Sequence, residues 1–313
     1  MPMIMKIINN TLSAIVAVLF SLFIVSCGSD DSSSDDLLPI NNKPSGKFQI
    51  NAEGKKVCFA PGNLQATYDG STWNWSFAKN QWDYIGDSGA NIFINGEGTV
   101  SAIGTVDLFG WVGESSLLTG AAQYGICNTK TVNSRYTYGN VTTENLLSDW
   151  GTTISDGYKW RTLSWSEWKY VVNNRPSGST INSTANARFT YATINTDVRA
   201  VNGMILFPDG ITIEDSDAAS WGKINDTSVY TKCTSSQWQK LAARGCVFLP
   251  AAGYRFESSV REDGYGLYYW SSSSYPSSVY SAFALSYDSS YLNAARSYSR
   301  PYGFSVRLVR EVE

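Results

Sequence analysis

The chemistry open to this chain is limited first by a gap: among its 313 residues there is no histidine. Without an imidazole there is no Ser-His-Asp or Cys-His arrangement, no histidine general base and no histidine-containing metal site. Catalysis would fall to carboxylates, lysine, tyrosine or cysteine. The paired carboxylates Asp215 and Asp217, and Glu262 and Asp263, stand in polar loop sequence, where solvated charge is the simplest reading. Besides Cys27 there are four cysteines, Cys58, Cys127, Cys233 and Cys246, at irregular spacings that match no zinc pattern. Cys58 in KVCFAPG and Cys246 in GCVFLPA sit in apolar, strand-like runs, and Cys233 and Cys246 bracket a helix, so free, buried thiols are expected. No catalytic residue, no metal site and no cofactor is predicted.

The densest chemistry is of another kind. Between Tyr268 and Gly303, a span of 36 residues, stand twelve Ser and eight Tyr. A disordered linker would lack the aromatics, and a core would lack the hydroxyls. The mixture matches an evolved binding surface, in which Tyr gives stiff, amphipathic contact area and Ser gives adaptable hydrogen bonds. Trp270, Phe283 and Leu285, with Val306 and Leu308 after them, are the apolar residues expected inside. Tyr269 and Tyr287 fit either side, because a buried Tyr needs a partner for its hydroxyl. The remaining candidates for ligand contact are Tyr275, Ser278, Tyr280, Ser281, Asp288, Ser289, Ser290, Tyr291, Asn293, Ser297, Tyr298, Ser299 and Tyr302. The alternative is a solvated run of strands whose tyrosines pack on their neighbours.

Two helices must help to position this segment. In TLSWSEWKYVVNNR, Ser164 and Glu167 have capping-box spacing, and Trp168, Val171 and Val172 follow on one helical face. In KCTSSQWQKLAARG the same grammar returns with Thr234 and Gln237, then Trp238, Leu241 and Ala242, with Gly245 placed to stop the helix. Both tryptophans are expected as core anchors. Elsewhere the pattern is short strands and turns: a hairpin around AEGK, an aromatic strand in WNWSF, and buried runs in VNGMILFPDG and CVFLPAAGYR. In GFSVRLVREV, Phe304, Val306 and Leu308 alternate with Ser305 and Arg307, one face in and one face out. Gly178 to Thr196 is polar and reads as a long loop with at most a short edge strand. Two capped helices, many short strands and long irregular loops make an α+β domain.

The first 26 residues read as a leader. Lys6 is followed by the apolar run from Thr11 to Val25, shorter than the about 20 residues a membrane span needs. The run ends at IVSC, which resembles a bacterial lipobox, with cleavage before Cys27 and lipidation of its thiol. Acyl chains contribute about 0.8 kcal/mol per buried CH₂, so several on one Cys would anchor the protein. Residues 27–46, the lipidated Cys and then GSDDSSSDDLLPINNKPSG, form an acidic tether that spans on the order of 25 Å as a random coil. Asp30 and Asp31 either direct export to the outer face or simply solubilise the spacer. The folded part runs over 47–313, with a strand-rich first part to about 155 and a core from about 156. A formal charge of −3 gives no electrostatic footprint for nucleic acid.

Several segments resemble a known fold family. WRTLSWSEWKYV is similar to a helix of the formylglycine-generating-enzyme group. VFLPAAGYR, GYGLYYWSSSS, AFALSY and RPYGFSVRLVR resemble the C-terminal half of Bacteroides and Fibrobacter major-paralogous-type surface proteins. FAPGNLQ, QWDYIG, DLFGW and VNGMILFPDG extend the likeness over most of residues 47–313. Both groups have the C-type lectin-like fold, which the resemblance therefore implies here. It also implies a link to the variable proteins of diversity-generating retroelements, in which a segment directly before a G-x-S-V-R-L-V ending is rewritten and displayed. The Ser/Tyr segment lies in that place, directly before Gly303 to Val309. Arg300 and Arg307 match scaffold arginines of the pattern.

Three function classes follow. The first is a lipid-anchored recognition protein on the outer membrane, exposed at the cell surface. It would grip a protein or glycan ligand on another cell, host or phage surface, and meet the membrane only through its anchor. The Glu-Pro-Asn, Gln-Pro-Asp and Trp-Asn-Asp calcium motifs of sugar-binding C-type lectins do not occur, which argues against calcium-dependent binding. The second is an enzyme of the formylglycine-generating type, whose sites need a reactive Cys pair or a His cluster; no Cys follows Cys246. The third is a structural, fimbria-associated lipoprotein. The expected reading is the first, without catalysis.

Overall fold

Both capping signatures close as read. The computed structural model describes residues 45–87, 91, 103–114, 116, 118–126, 147–214, 223–228, 231–288 and 291–313. In it α1 (Trp165–Lys169) begins at Ser164, whose hydroxyl accepts from the Glu167 N–H while the Glu167 carboxylate accepts from the Ser164 N–H. A π-turn over Tyr170–Asn174 continues it. α2 (Ser235–Ala243) begins at Thr234 with the same reciprocal bonds to Gln237. It stops at Gly245, which has φ +81° and donates to the Ala242 carbonyl while Cys246 donates to Leu241, the pairing of a Schellman motif. Trp168 and Trp238 are both buried, as expected of core anchors.

The strands fall into small sheets. β1 (Phe48–Gln49) and β2 (Lys56–Phe59) are the expected hairpin. β3 (Leu64–Tyr68), β4 (Trp73–Phe77) and β5 (Gly104–Val106) pair in the order β4-β3-β5. β6 (Thr180–Ile181), β7 (Thr184–Ala185) and β10 (Thr212–Ile213) make a minor sheet. β8 (Phe189–Asn195), β9 (Ala200–Leu206), β11 (Thr231–Thr234) and β12 (Val247–Pro250) form a sheet in the order β11-β8-β9-β12. After the hairpin of β13 (Tyr254–Phe256) and β14 (Ser259–Arg261), the Ser/Tyr segment builds β15 (Leu267–Ser274), β16 (Ser281–Asp288) and β17 (Tyr291–Ser299). β18 (Val309–Val312) then returns to pair antiparallel with β2. The architecture is mixed but strand-rich, with two short α-helices among the described residues, compatible with the α+β class.

Alternation explains the layers. The four-stranded sheet turns Phe189, Tyr191, Met204, Leu206, Val247 and Leu249 into a core shared with Phe48, Phe59, Trp168 and Tyr269. Its other face gives Ala192, Ile194, Val201, Ile205 and Phe248 to a second core with Trp238 of α2. Gly203 is required there, because a Cβ would come within 2.3 Å of the Leu249 carbonyl oxygen. A third core gathers Trp111, Trp150, Trp270, Phe304, Val306 and Leu308.

Four expectations are corrected. Gly178 to Thr196 is not mainly loop: β8 is an inner strand of seven residues, buried on both faces. Its polar letters are absorbed by pairing, as where the Thr190 hydroxyl meets that of Thr231 at 3.2 Å. Ser305 and Arg307 do not face out but are both 1 % exposed, because this stretch runs between cores and is bridged on both sides. Phe283 is half-buried rather than interior. Cys58 is disulfide-bonded, whereas Cys233 and Cys246 are free and buried as expected. Cys27, Cys127, Asp215 and Asp217 lie outside the described residues.

Among the described residues no carboxylate forms an ion pair with Arg307. Its guanidinium donates to Asn63 Oδ1 (3.0 Å) and to the carbonyls of Ala60 (3.0 Å), Gln81 (3.3 Å) and Phe248 (2.7 Å). Burial pushes its pKa down to about 10. Arg307→Met would take this donor from the buried carbonyls of Ala60 and Phe248, so urea unfolding should show a loss of at least about 2 kcal/mol; an unchanged midpoint would contradict the clamp.

Asp107, also fully buried, holds the loop before β5 by accepting from Ile85 N–H (2.8 Å) and Asn91 Nδ2 (2.7 Å). Burial pushes its carboxyl up to about 6. The folded state therefore holds this proton to a higher pH than the unfolded chain, and the resulting stabilisation is complete below about pH 4 and lost as pH rises through 6. The stability gap between the protein and Asp107→Asn should shift by about 3 kcal/mol across that window, and the Asp107 ¹³Cγ resonance should titrate near 6.

Candidate functional site

The Ser/Tyr segment is a three-stranded antiparallel ribbon in the order β15-β16-β17, and its register decides what each candidate can touch. β15 is the edge strand that faces the interior, and it buries both faces, Leu267 and Tyr269 to one core and Tyr268 and Trp270 to another. The run Ser271 to Ser274 is buried too, its hydroxyls turned to neighbours such as the Phe283 carbonyl, 2.8 Å from Ser271 Oγ. The candidates therefore concentrate on β16, β17 and the turns between them.

Cross-strand partners share a face. Ser281 and Phe283 of β16 lie opposite Ser299 and Ser297 of β17 on the side that α1 covers. Ser286 and Asp288 lie opposite Asn293 and Tyr291 on the other side. A register shift between Ala284 and Ser286 inserts a bulge in β17, which brings Arg296 and Tyr298 onto that second side as well. There Arg296 forms an ion pair with Asp288, and its guanidinium lies 5.2 Å from the Tyr298 ring centroid.

Exposure separates the candidate tyrosines. Tyr291 (66 %) and Tyr280 (50 %) are open to solvent at the two ends of the β16–β17 pair, roughly 25 Å apart at the rise of a strand. Tyr298 packs edge-on against Tyr268 (5.6 Å) and Phe304 (5.0 Å), and burial raises its pKa. Tyr302 stacks on Tyr254 at 5.7 Å. Tyr275 is half-buried with its ring edge-on to Phe283. Ser278, Ser281, Ser297 and Ser299 are half-exposed, and Asn293 turns its side-chain oxygen to the Ala295 N–H at 2.8 Å. Ser289 and Ser290 fall outside the described residues.

Of the four carboxylates expected to be solvated, Glu262 and Asp263 lie in the described residues, and both accept hydrogen bonds. Glu262 accepts from the Tyr268 hydroxyl at 2.5 Å, which together with burial raises that phenol's pKa. Asp263 accepts from the Asp87 N–H. Sequence reasoning missed Trp165, Lys169 and Arg296 as surface partners of the ribbon. For Trp165 a signal existed: it is an aromatic in SWSEW left over by the helix's buried face of Trp168, Val171 and Val172.

A cleft of about 710 Å³ opens elsewhere, between the 50–55 hairpin, Asp149 and the first turn of α1. Part of its charge is matched internally: Arg161 forks onto both Glu167 oxygens at 2.8 Å and reaches Glu311 at 3.2 Å, while Lys55 also holds Glu311. Burial raises the pKa of Asp149, which accepts from Gly151 and Thr162. None of the candidate contact residues lines this cleft. Among the described residues no His, Cys, Asp or Glu group is arranged to hold a metal ion, and no helix is long and apolar enough to cross a membrane. The chain matches no protein-family model, no curated protein and no solved structure.

The rings differ in what their removal should do. Tyr298→Ala opens a hole under Phe304 and should cost about 2–4 kcal/mol. Replacing Tyr280 and Tyr291 together by Ala should leave the melting temperature within about 2 °C, as for exposed positions generally. Equal losses in the two variants would show that the exposed rings are structural.

Proposed function

We propose that the protein is a surface-anchored recognition lipoprotein that offers the β16–β17 ribbon to a protein or glycan ligand and performs no chemistry on it. The single observation that carries this reading is the exposure of Tyr280 and Tyr291 at opposite ends of a ribbon otherwise bordered by half-exposed serines. Large phenol rings held open on paired strands give contact area at little entropic cost. The ribbon is also well supported, since β15 is buried on both faces and α1 backs one side. A rigid support of this kind suits a displayed and variable surface.

The C-type lectin-like fold belongs to the same proposal. The two capped helices, short strands and long connections support it, as do buried Arg300 and Arg307 at the positions the resemblance treats as scaffold. Lipidation at Cys27 would place the domain on the outer membrane, with the ribbon directed away from the cell.

Cell-adhesion measurements on the full chain, compared with the Tyr280→Ala/Tyr291→Ala variant, test the reading. The expected outcome is binding by the parent chain that the double variant loses while its melting curve is unchanged. Binding that persists undiminished in the variant, or a parent chain that binds no surface at all, would refute it.

A further inference from the structure

Resting on the recognition reading, we infer that the α1 side of the ribbon is a docking strip for a carboxylated glycan, seated on Trp165, Phe283 and Tyr275 and oriented by Lys169. Trp165 is the first residue of α1 and is not part of its buried face. Its N–H is held by Ser273 Oγ, which fixes the residue against β15. The Trp165 ring lies 5.2 Å from that of Phe283 at an interplanar angle of 35°, and Phe283 meets Tyr275 at 5.3 Å. Three half-exposed rings thus form one continuous row.

What surrounds the row selects the ligand. Ser281 precedes Phe283 by two positions, and Ser299 and Ser297 are their cross-strand partners, so hydroxyls border the rings. The Lys169 ammonium lies 5.8 Å from the Trp165 ring centroid and is the charge on this strip. The nearby carboxylates are engaged elsewhere: Glu167 by Arg161 and the Ser164 N–H, and Asp288 by Arg296 on the opposite face. A chain of net charge −3 therefore presents here, among the described residues, a lysine beside three aromatic rings and the hydroxyls of Ser281, Ser297 and Ser299. A sugar matches each part: its C–H face lies on the rings, its hydroxyls exchange hydrogen bonds with serines, and a ring carboxylate meets the ammonium in a charge-assisted bond. A protein partner would find large rings here but few directional groups for its backbone.

Isothermal titration of the full chain in detergent with hexagalacturonate and with cellohexaose tests this. Hexagalacturonate should bind more tightly, Lys169→Gln should weaken it by about tenfold, as for a hydrogen bond to a charged group, and Phe283→Ser should abolish it. Lys169 is exposed, so its variant keeps the test valid should Phe283→Ser unfold. Equal binding of the two oligosaccharides, affinity unaffected by Lys169→Gln, or no binding of either would overturn the inference. If neither sugar binds while cell adhesion is still lost in the Tyr280→Ala/Tyr291→Ala variant, the glycan assignment falls and the recognition reading stands.

Discussion

Arg307 carries a guanidinium into the buried interior, where no acidic side chain among the described residues pairs with it. Its partners are three backbone carbonyls and an amide oxygen, contributed by the turn after β2, the loop after β4 and the strand β12. Those segments belong to different sheets, so one side chain fixes their mutual distance. Asn63 extends the clamp, since its side chain also meets the hydroxyl of buried Tyr269 at 3.0 Å. The first strand of the Ser/Tyr ribbon is thereby tied to the same charge. A buried cation without a counter-ion is costly unless every donor is used, and here the surrounding carbonyls supply the compensation.

That constraint explains why so polar a segment can be rigid. β15 is locked between two cores and passes its order to β16 and then β17 through the ladder. One bulge then distributes β17 unequally: Leu292 and Ala294 point into the interior, whereas Tyr291, Asn293, Arg296 and Tyr298 share the other side. A sequence with hydroxyls at 20 of its 36 positions thus yields two chemically distinct faces, one ionic and one aromatic with a hydroxyl border.

Legibility followed the range of the interaction. The helix caps were readable because Ser164 with Glu167, and Thr234 with Gln237, settle their bonds within four residues. The turn after β9 was equally local, with Gly210 at φ +74°. β8 was hidden because Thr190 and Thr193 look like loop until β9 and β11 supply their neighbours. Arg307 was read as outward because alternation with Val306 and Leu308 is the usual sign of a solvated face; only distant carbonyls make the interior acceptable. The packing of Tyr298, in contrast with Tyr291, depends on a bulge whose cause lies in the pairing and not in β17 itself.

The pairing of β18 with β2 makes the last residues of the chain neighbours of the first folded ones, and Lys47 Nζ reaches the Glu313 carbonyl at 2.7 Å. Synthesis runs from the amino end, so β2 waits through some 250 residues of translation before its partner exists, a separation of the kind that slows folding. The β2–β18 pair can close only after Val309–Val312 has been synthesised, so the amino-terminal hairpin must wait for its third strand. The same closure sets Lys47 beside Glu313, so a fluorescent module joined after Glu313 would report on the neighbourhood of the β1–β2 hairpin.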